Sequence, residues 1–437
     1  MKYKMLTWGC QMNLHDSEVI SGIVEKAGYC PTEAVEEADL IILNTCCVRE
    51  NAERKVYGRI AQLKRYKRRN PNLIIAVTGC MIQQPHVREY ISKHLPYVDV
   101  IFGIHNVHKL PELIDNARQA NMPLIEVFHD TSITENLPIK RESSSKAWIT
   151  IAYGCNNFCS YCIVPYVRGR EKSRKPEDII KEAEDLARQG CLEINLLGQN
   201  VNSYGKDLEL PFPFPKLLRK INEIPGLSRI RFLTSHPKDL SDELIETMKE
   251  CEKVCEHIHL PVQAGSNKIL NQMNRKYTRE HYMELIEKLR KAIPNIAITT
   301  DIIVGFPGET EQDFEDTLDL VKRVEFDSAF TFIYSKREGT PAAKMKNQVE
   351  EEIKKERLYR LMELQDEITF KKNLLLQNKT VEVLVDGISK GNRDRLSGRT
   401  RTNKLVNFEG PQTLIGKLVN VKITEPHNWS LIGKLEE

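Results

Sequence analysis

The sequence predicts an α/β protein in three parts: an amino-terminal α/β domain on a parallel sheet, a partial barrel of six strand-helix units, and a small antiparallel β-barrel. Three observations carry this. Short apolar runs alternate with longer helical-period segments from Lys2 to about Arg118; the same beat returns between Ala147 and Ile333; and from Leu374 onward the apolar period drops to two. A length of 437 residues also suggests roughly three domains, at about 150 residues each.

In the first part, Lys4–Trp8, Leu40–Asn44 and Leu73–Thr78 read as strands separated by helices. Pro138–Ser145, with Lys140, Arg141 and three consecutive serines, reads as linker sequence. The second part places strands near Ala147–Tyr153, Leu192–Leu197, Ile230–Leu233, His257–Leu260, Ile296–Val304 and Phe330–Ile333. Helical patterns such as Pro176–Gly190 and Thr310–Val324 lie between them, the former opening on Pro and closing on Gly. Eight such units would need more residues than precede Glu350, so the barrel is expected to be open. Glu350–Lys372 reads as a charged connecting helix. Val381, Val383 and Val385, then Val419, Val421 and Ile423, mark strands of the last barrel.

Lysine plus arginine number 64 against 61 acids, so nucleic-acid contact must come from local patches. Two patches qualify. Lys55–Arg69 carries seven basic residues and no acid on a helix, where a solvated face is the competing reading. Lys390–Lys404 sets six basic residues against one acid inside a small barrel of a shape that binds oligonucleotides, which favours phosphate contact. With no run of about 18 apolar residues and no signal-peptide pattern, a cytoplasmic protein without membrane contact is expected. Eleven cysteines in a reducing compartment read as cluster ligands and buried thiols rather than disulfides.

The cysteines carry the chemistry. Cys155, Cys159 and Cys162 lie within eight residues just after the first barrel strand, at the carboxyl-terminal mouth where such folds keep their sites. Three thiolates leave one iron of a cubane 4Fe-4S cluster open. An amine and carboxylate can chelate that iron, which is how S-adenosylmethionine is held for reductive cleavage. A closed zinc site needs a fourth ligand at knuckle spacing, and none follows. Phe158 and Tyr161 would shield such a cluster or simply pack the loop.

Cys10, Cys46 and Cys80 each follow one of the three amino-terminal strands, and in a parallel sheet such positions share one edge. A second three-thiolate cluster fits there, against the competing reading of three buried cysteines. Cys47 beside Cys46 competes for the middle position. Cys30 and Cys191 read as core or surface thiols, whereas Cys251 and Cys255, four apart on a helix, could pair on a metal but read first as packing residues. The other barrel strand ends carry Gln199 and Asn200, then Ser235 and His236, then Gln263 and Ser266, then Asp301, a set suited to holding cofactor or substrate. Singly, each is as readily a satisfied structural residue; their shared placement is the signal.

With these residues in view, the chain resembles the methylthiotransferases of the radical S-adenosylmethionine group along nearly its whole length. The resemblance rests on Gly9-Cys10-Gln11-Met12-Asn13 with Asp16-Ser17-Glu18, Asn44-Thr45-Cys46 with Val48-Arg49-Glu50, Thr78-Gly79-Cys80, Gly154 to Arg174, and a TRAM-like final barrel. Trp8 and Cys47 depart from the usual tyrosine and small residue, so Cys46 versus Cys47 stays open. The resemblance implies domains at 1–118, 141–371 and 374–437 with a linker at 119–140. It implies two 4Fe-4S clusters, on Cys155, Cys159 and Cys162 and on Cys10, Cys46 and Cys80, with two S-adenosylmethionine per turnover. It further implies an isopentenylated adenosine beside a tRNA anticodon as target, and a low-potential electron donor such as flavodoxin or ferredoxin. Two rivals remain: a sister enzyme acting on threonylcarbamoyladenosine or on a ribosomal-protein aspartate, and a non-catalytic, redox-sensing RNA-binding protein.

Overall fold

The computed structural model describes residues 1–47, 50–120, 123–128 and 133–436, so Val48 and Arg49 of the family-like pattern lie outside it, as does the side chain of Glu50. The chain forms two compact units. One holds Met1–Glu142, Ala152–Phe158 and Cys162–Arg174; the other holds Ser143–Ile151, Cys159–Tyr161 and Lys175–Glu437.

The first unit is built on a parallel sheet ordered β2-β1-β3-β4-β5-β6, with β1 Lys2–Thr7, β2 Cys30–Pro31, β3 Leu40–Thr45, β4 Ile74–Gly79, β5 Val100–Phe102 and β6 Leu124–Glu126. Every residue of β3 and β4 is buried, because helices cover both faces. Ile41, Leu43, Ile75 and Val77 join one core with Val56, Ile60 and Leu63 of the helix Glu50–Arg69. Leu40, Ile42, Ile74 and Ala76 join the other with Ile20 and Val24 of the helix Gln11–Lys26. This double burial is why the strands read as continuous apolar runs rather than alternating ones. The 119–140 stretch, read as a linker, contributes β6 as an edge strand.

In the second unit, β7 Lys146–Thr150 comes first; β8 Ala152–Tyr153 and β9 Lys172–Ser173 then pair antiparallel within the first unit. Next come β10 Glu193–Leu197, β11 Arg229–Phe232, β12 His257–His259, β13 Ala297–Val304 and β14 Ser328–Ile333. The six barrel strands form two parallel groups, β7-β10-β11 and β12-β13-β14. The helix Glu351–Leu374 leads to a closed barrel of β15 Thr380–Ile388, β16 Leu396–Thr400, β17 Leu405–Glu409, β18 Leu418–Pro426 and β19 Leu431–Leu435. Its β17–β19 pair is parallel, since a ring with an odd number of strands cannot alternate direction throughout.

Two predicted domains share this unit because buried arginines tie them together. Arg229 donates to the Arg399 carbonyl (2.8 Å) and to Glu382 (2.7 Å), and Arg231 to the carbonyls of Thr400 (2.6 Å) and Arg401 (2.7 Å). Among the described residues, no helix is long and apolar enough to cross a membrane.

Candidate functional site

Cys10, Cys46 and Cys80 follow β1, β3 and β4, which are neighbours in the sheet, at its carboxyl edge. A polar lattice fixes this edge. Asn13 on the first helix donates to Asn44 Oδ1 and to the Thr45 carbonyl, both at 3.1 Å, while Asn44 donates back to the Asn13 carbonyl (2.8 Å) and to Ser17 (2.9 Å). Both asparagines are fully buried, so the motif asparagines position the cysteine-bearing turns. Gly79 has φ +103°, and a Cβ there would strike the Thr45 backbone; only glycine allows the turn into Cys80.

Arg168, 3% exposed, donates through Nε to Cys80 Sγ at 3.1 Å and through Nη2 to Asp16 at 2.8 Å. Cys10 also interacts electrostatically with it. A hydrogen bond from Cys47, opposed by burial and reinforced by the Arg168 charge, pulls Cys80 down to about 6. A thiol so poised is readily a thiolate, the form that binds metal. Cys47 packs in the apolar core with Cys80, whereas Cys46 lies against Gly9, next in sequence to Cys10. Among the described residues no three His, Cys, Asp or Glu side chains cluster closely enough for a single metal ion. A cubane differs, because each thiolate binds a different iron.

Cys155 and Cys159 are buried and Cys162 half-buried. Gly154 (φ +69°) turns the chain where a Cβ would strike the Arg170 carbonyl. In the second unit, Arg275 is 4% exposed and donates to Cys159 Sγ (3.3 Å), Tyr161 (3.4 Å), Tyr277 (3.0 Å) and the Pro261 carbonyl (2.9 Å). None of these is a carboxylate. A buried guanidinium without a counter-ion is costly, so this environment suits an anionic thiolate or thiolate-bound cluster at Cys159.

The strand-end polar set divides by what each group already does. Asn200 donates to Asp239 (2.8 Å) and accepts from the His236 N–H (3.0 Å), and Ser266 caps the helix Asn267–Gln272 while donating to Asp313 (2.6 Å). Gln199 is half-buried. Asp301 pairs with His259 at 3.5 Å. Ser235 Oγ, His236 Nε2 and Gln263 Oε1 are buried and have no hydrogen-bond partner among the described residues. Burial, with the Arg275 and Lys238 charges, pushes His236 down to about 2, so its ring is neutral. Gln263 holds φ +71°, a strained backbone of the kind that persists where surrounding structure imposes it. Buried groups with unspent hydrogen-bonding capacity await partners, and these fit a polar cofactor.

Sequence reasoning missed Arg168 and Arg275. The first lies in the Gly154–Arg174 stretch, six residues after Cys162, but nothing local marks it as a partner of Cys80; the second carries no local signal. The basic stretch at 390–404 is only partly available for phosphate. Arg401 binds Glu256 in two-pronged fashion (2.8 and 2.8 Å), and Lys404 reaches Asp327 at 3.1 Å, anchoring the last barrel instead. Lys390 and Arg393 are exposed. Cys251 ends the helix Asp242–Glu250 and Cys255 lies beyond it, so the expected shared helix is absent: Cys251 takes an extended backbone (ψ 99°).

Comparison with known proteins agrees with this geometry. Residues 2–103 match the uncharacterized protein family UPF0004, 149–321 the radical SAM superfamily and 375–435 the TRAM domain. A tRNA-2-methylthio-N(6)-dimethylallyladenosine synthase from Thermoanaerobacter sp. (strain X514) is 60% identical over 436 residues, 100% of this chain and 93% of that one. The chain belongs to the radical S-adenosylmethionine methylthiotransferase family. A second such synthase, from Clostridium novyi (strain NT), is 58% identical across 99% of this methylthiotransferase and 96% of its own length. Among solved structures, the radical S-adenosylmethionine methyltransferase TsrM from Kitasatospora setae, with cobalamin and a 4Fe-4S cluster bound, matches at TM-score 0.56 and 15% identity, over 78% of this chain and 77% of that chain. That likeness is one of fold. The radical SAM domain implies a 4Fe-4S cluster and S-adenosylmethionine.

Proposed function

We propose that this methylthiotransferase converts N6-(dimethylallyl)adenosine next to the anticodon of tRNA into its 2-methylthio derivative. The observation that carries the reading is identity of 60% over the whole chain to a synthase of that name, an alignment that spans both cysteine sets. The TRAM match at 375–435 supports an RNA substrate.

In this reading, Cys155, Cys159 and Cys162 hold the cluster at which S-adenosylmethionine binds, and Cys10, Cys46 and Cys80 hold an auxiliary cluster on the amino-terminal domain. When bound, the first supplies the electron that cleaves S-adenosylmethionine to a radical able to break the strong C2–H bond, and the second carries the sulfur. Arg275 balances the charge at Cys159, and Arg168 donates to Cys80 and holds it toward Asp16. The free atoms of Ser235, His236 and Gln263 bind polar groups of the cofactor, within the wider set of Gln199, Asn200, Ser266 and Asp301. The neutral His236 Nε2 gives or accepts one hydrogen bond without adding charge. A second S-adenosylmethionine provides the methyl group, and a flavodoxin- or ferredoxin-like donor provides electrons. The target base leaves its stack to reach the barrel.

Mass spectrometry of tRNA nucleosides from a strain lacking this gene tests the reading. Loss of 2-methylthio-N6-(dimethylallyl)adenosine, restored by the wild-type gene, is expected; an unchanged level removes it.

A further inference from the structure

The helix Glu50–Arg69 buries Val56, Ile60 and Leu63 in the same core that takes Val87 and Ile91 of the helix Pro85–His94, so both helices cover one face of the amino-terminal sheet. From Lys55 to Arg69 the chain carries seven basic residues and no acid, and the fold neutralises only part of that charge. Lys67 pairs with Asp99 at 2.8 Å. Arg65 donates to the Tyr66 hydroxyl (2.6 Å), which donates to Glu36 (3.0 Å), and Arg69 also acts on Glu36 electrostatically. Lys64 and Arg68 are exposed and have no acidic partner among the described residues.

Tyr57, Lys64 and Arg68, at spacings of seven and four, share one side of their helix, and aromatic rings of the neighbouring segment line that side. The Tyr57 and Tyr90 rings meet edge-on at 5.0 Å, His94 stacks on Tyr90 at 4.6 Å with its Nδ1 3.1 Å from the Tyr90 carbonyl, and the Lys64 ammonium lies 5.9 Å from the centre of the Tyr97 ring. Tyr90 is nevertheless 45% exposed. At 1.5 Å per residue, Tyr57 stands about 10 Å and Arg68 about 27 Å along the helix from Glu50, which closely follows the cysteine-bearing turn at Cys46. The rings therefore lie at the end near the cysteine edge, and the unpaired charges lead away from it. Charge alone would suit any polyanion. An RNA strand uses both parts, because bases stack on exposed rings while phosphates follow the cations; an acidic protein would meet the charges and leave the rings idle.

We propose that this face binds the RNA substrate outside its target base, with Tyr90, backed by Tyr57 and His94, stacking on an unpaired base and with Lys64 and Arg68 contacting phosphates further along the strand. This rests on the RNA-modification reading above and adds to it a contact surface on the amino-terminal domain, distinct from the final barrel.

Anaerobically reconstituted holoenzyme is titrated with tRNA carrying N6-(dimethylallyl)adenosine at several salt concentrations. The double variant Lys64→Gln/Arg68→Gln should bind several-fold more weakly and lower the slope of log affinity against log salt by about 1.4 to 1.8, the loss of two phosphate contacts. Tyr90→Leu should weaken binding by about fivefold or more with the slope unchanged, and Tyr90→Phe, which keeps a stacking ring, should restore it. Should Tyr90→Leu fail to fold, Tyr90→Gln carries the same comparison. All variants should cleave S-adenosylmethionine with dithionite at the wild-type rate in the absence of RNA. Wild-type affinity and slope in the double variant, or wild-type affinity in Tyr90→Leu, overturns the surface. So does unchanged RNA binding combined with slower turnover on an acidic, flavodoxin-like donor but not on dithionite, which would assign the face to an electron-carrying protein. If wild type forms no methylthiolated product on this tRNA, the functional reading itself fails, while the binding comparison still decides the surface.

Discussion

Replacing Glu193 by Gln should destabilise the second unit by about 3 kcal/mol and loosen its final barrel. Glu193 is 1% exposed and accepts from Arg231 Nε at 2.9 Å and from Asn195 at 3.1 Å, with Lys146 at 3.5 Å and Arg229 at 3.8 Å. Burial pushes this carboxyl up, but the Arg231 and Lys146 charges outweigh it and hold it at about 2. Against an ordinary value near 4.5, that depression corresponds to about 3 kcal/mol at neutral pH. The figure agrees with the roughly 3–5 kcal/mol expected when one partner of a buried ion pair is removed. The folded-state value is lowered, so this stability is complete above about pH 4.5 and fades as pH falls toward 2. Urea unfolding followed by fluorescence, at pH 7 and pH 6, should show the same gap between wild type and variant at both. Because Arg231 also donates to the Thr400 and Arg401 carbonyls, limited proteolysis should cut the variant sooner near residues 375–380. A variant as stable as wild type at pH 7, or a gap that grows as pH falls below 4, would refute the reasoning.

Other outcomes follow from the same geometry. Cys159→Ala should abolish formation of 5'-deoxyadenosine by dithionite-reduced enzyme, whereas Cys10→Ala should spare it and stop sulfur insertion, both read by chromatography of the reaction products. His236 is buried neutral with its value lowered to about 2, so its contribution is present above the unfolded value near 6.5 and lost as pH falls below it. Between pH 7 and pH 5 the cost is about 2 kcal/mol, and thermal melting of the cofactor-free protein should decline less over that interval in His236→Asn than in wild type. Arg275→Met should make the cluster proposed at Cys159 lose iron faster to a chelator, since the neutral side chain no longer balances thiolate charge; equal rates would count against the role given to Arg275.

Much of this architecture was legible because its signals are local. Parallel strands buried on both faces, such as Leu40–Thr45, write themselves as apolar runs, and cysteines directly after them inherit a shared edge from the topology alone. The guanidiniums were not legible in that way. Arg275 reaches Cys159 across 116 positions of sequence, and no periodicity encodes such a contact. The roles of Arg401 and Lys404 were misread for the same reason: a basic run looks the same whether its charges face phosphate or acids elsewhere in the fold. Ser266 and Ser235 are both serines near strand ends, and only the hydrogen-bond partners separate a helix cap from an unspent donor.

The central claim is that two incomplete thiolate sets each hold a cubane. Iron and acid-labile sulfide, counted after anaerobic reconstitution of wild type and of two triple variants, test it most directly. About eight of each per chain are expected for wild type, and about four when Cys10, Cys46 and Cys80, or Cys155, Cys159 and Cys162, are replaced by alanine. Four irons in wild type, or a triple variant that still binds eight, would contradict the account.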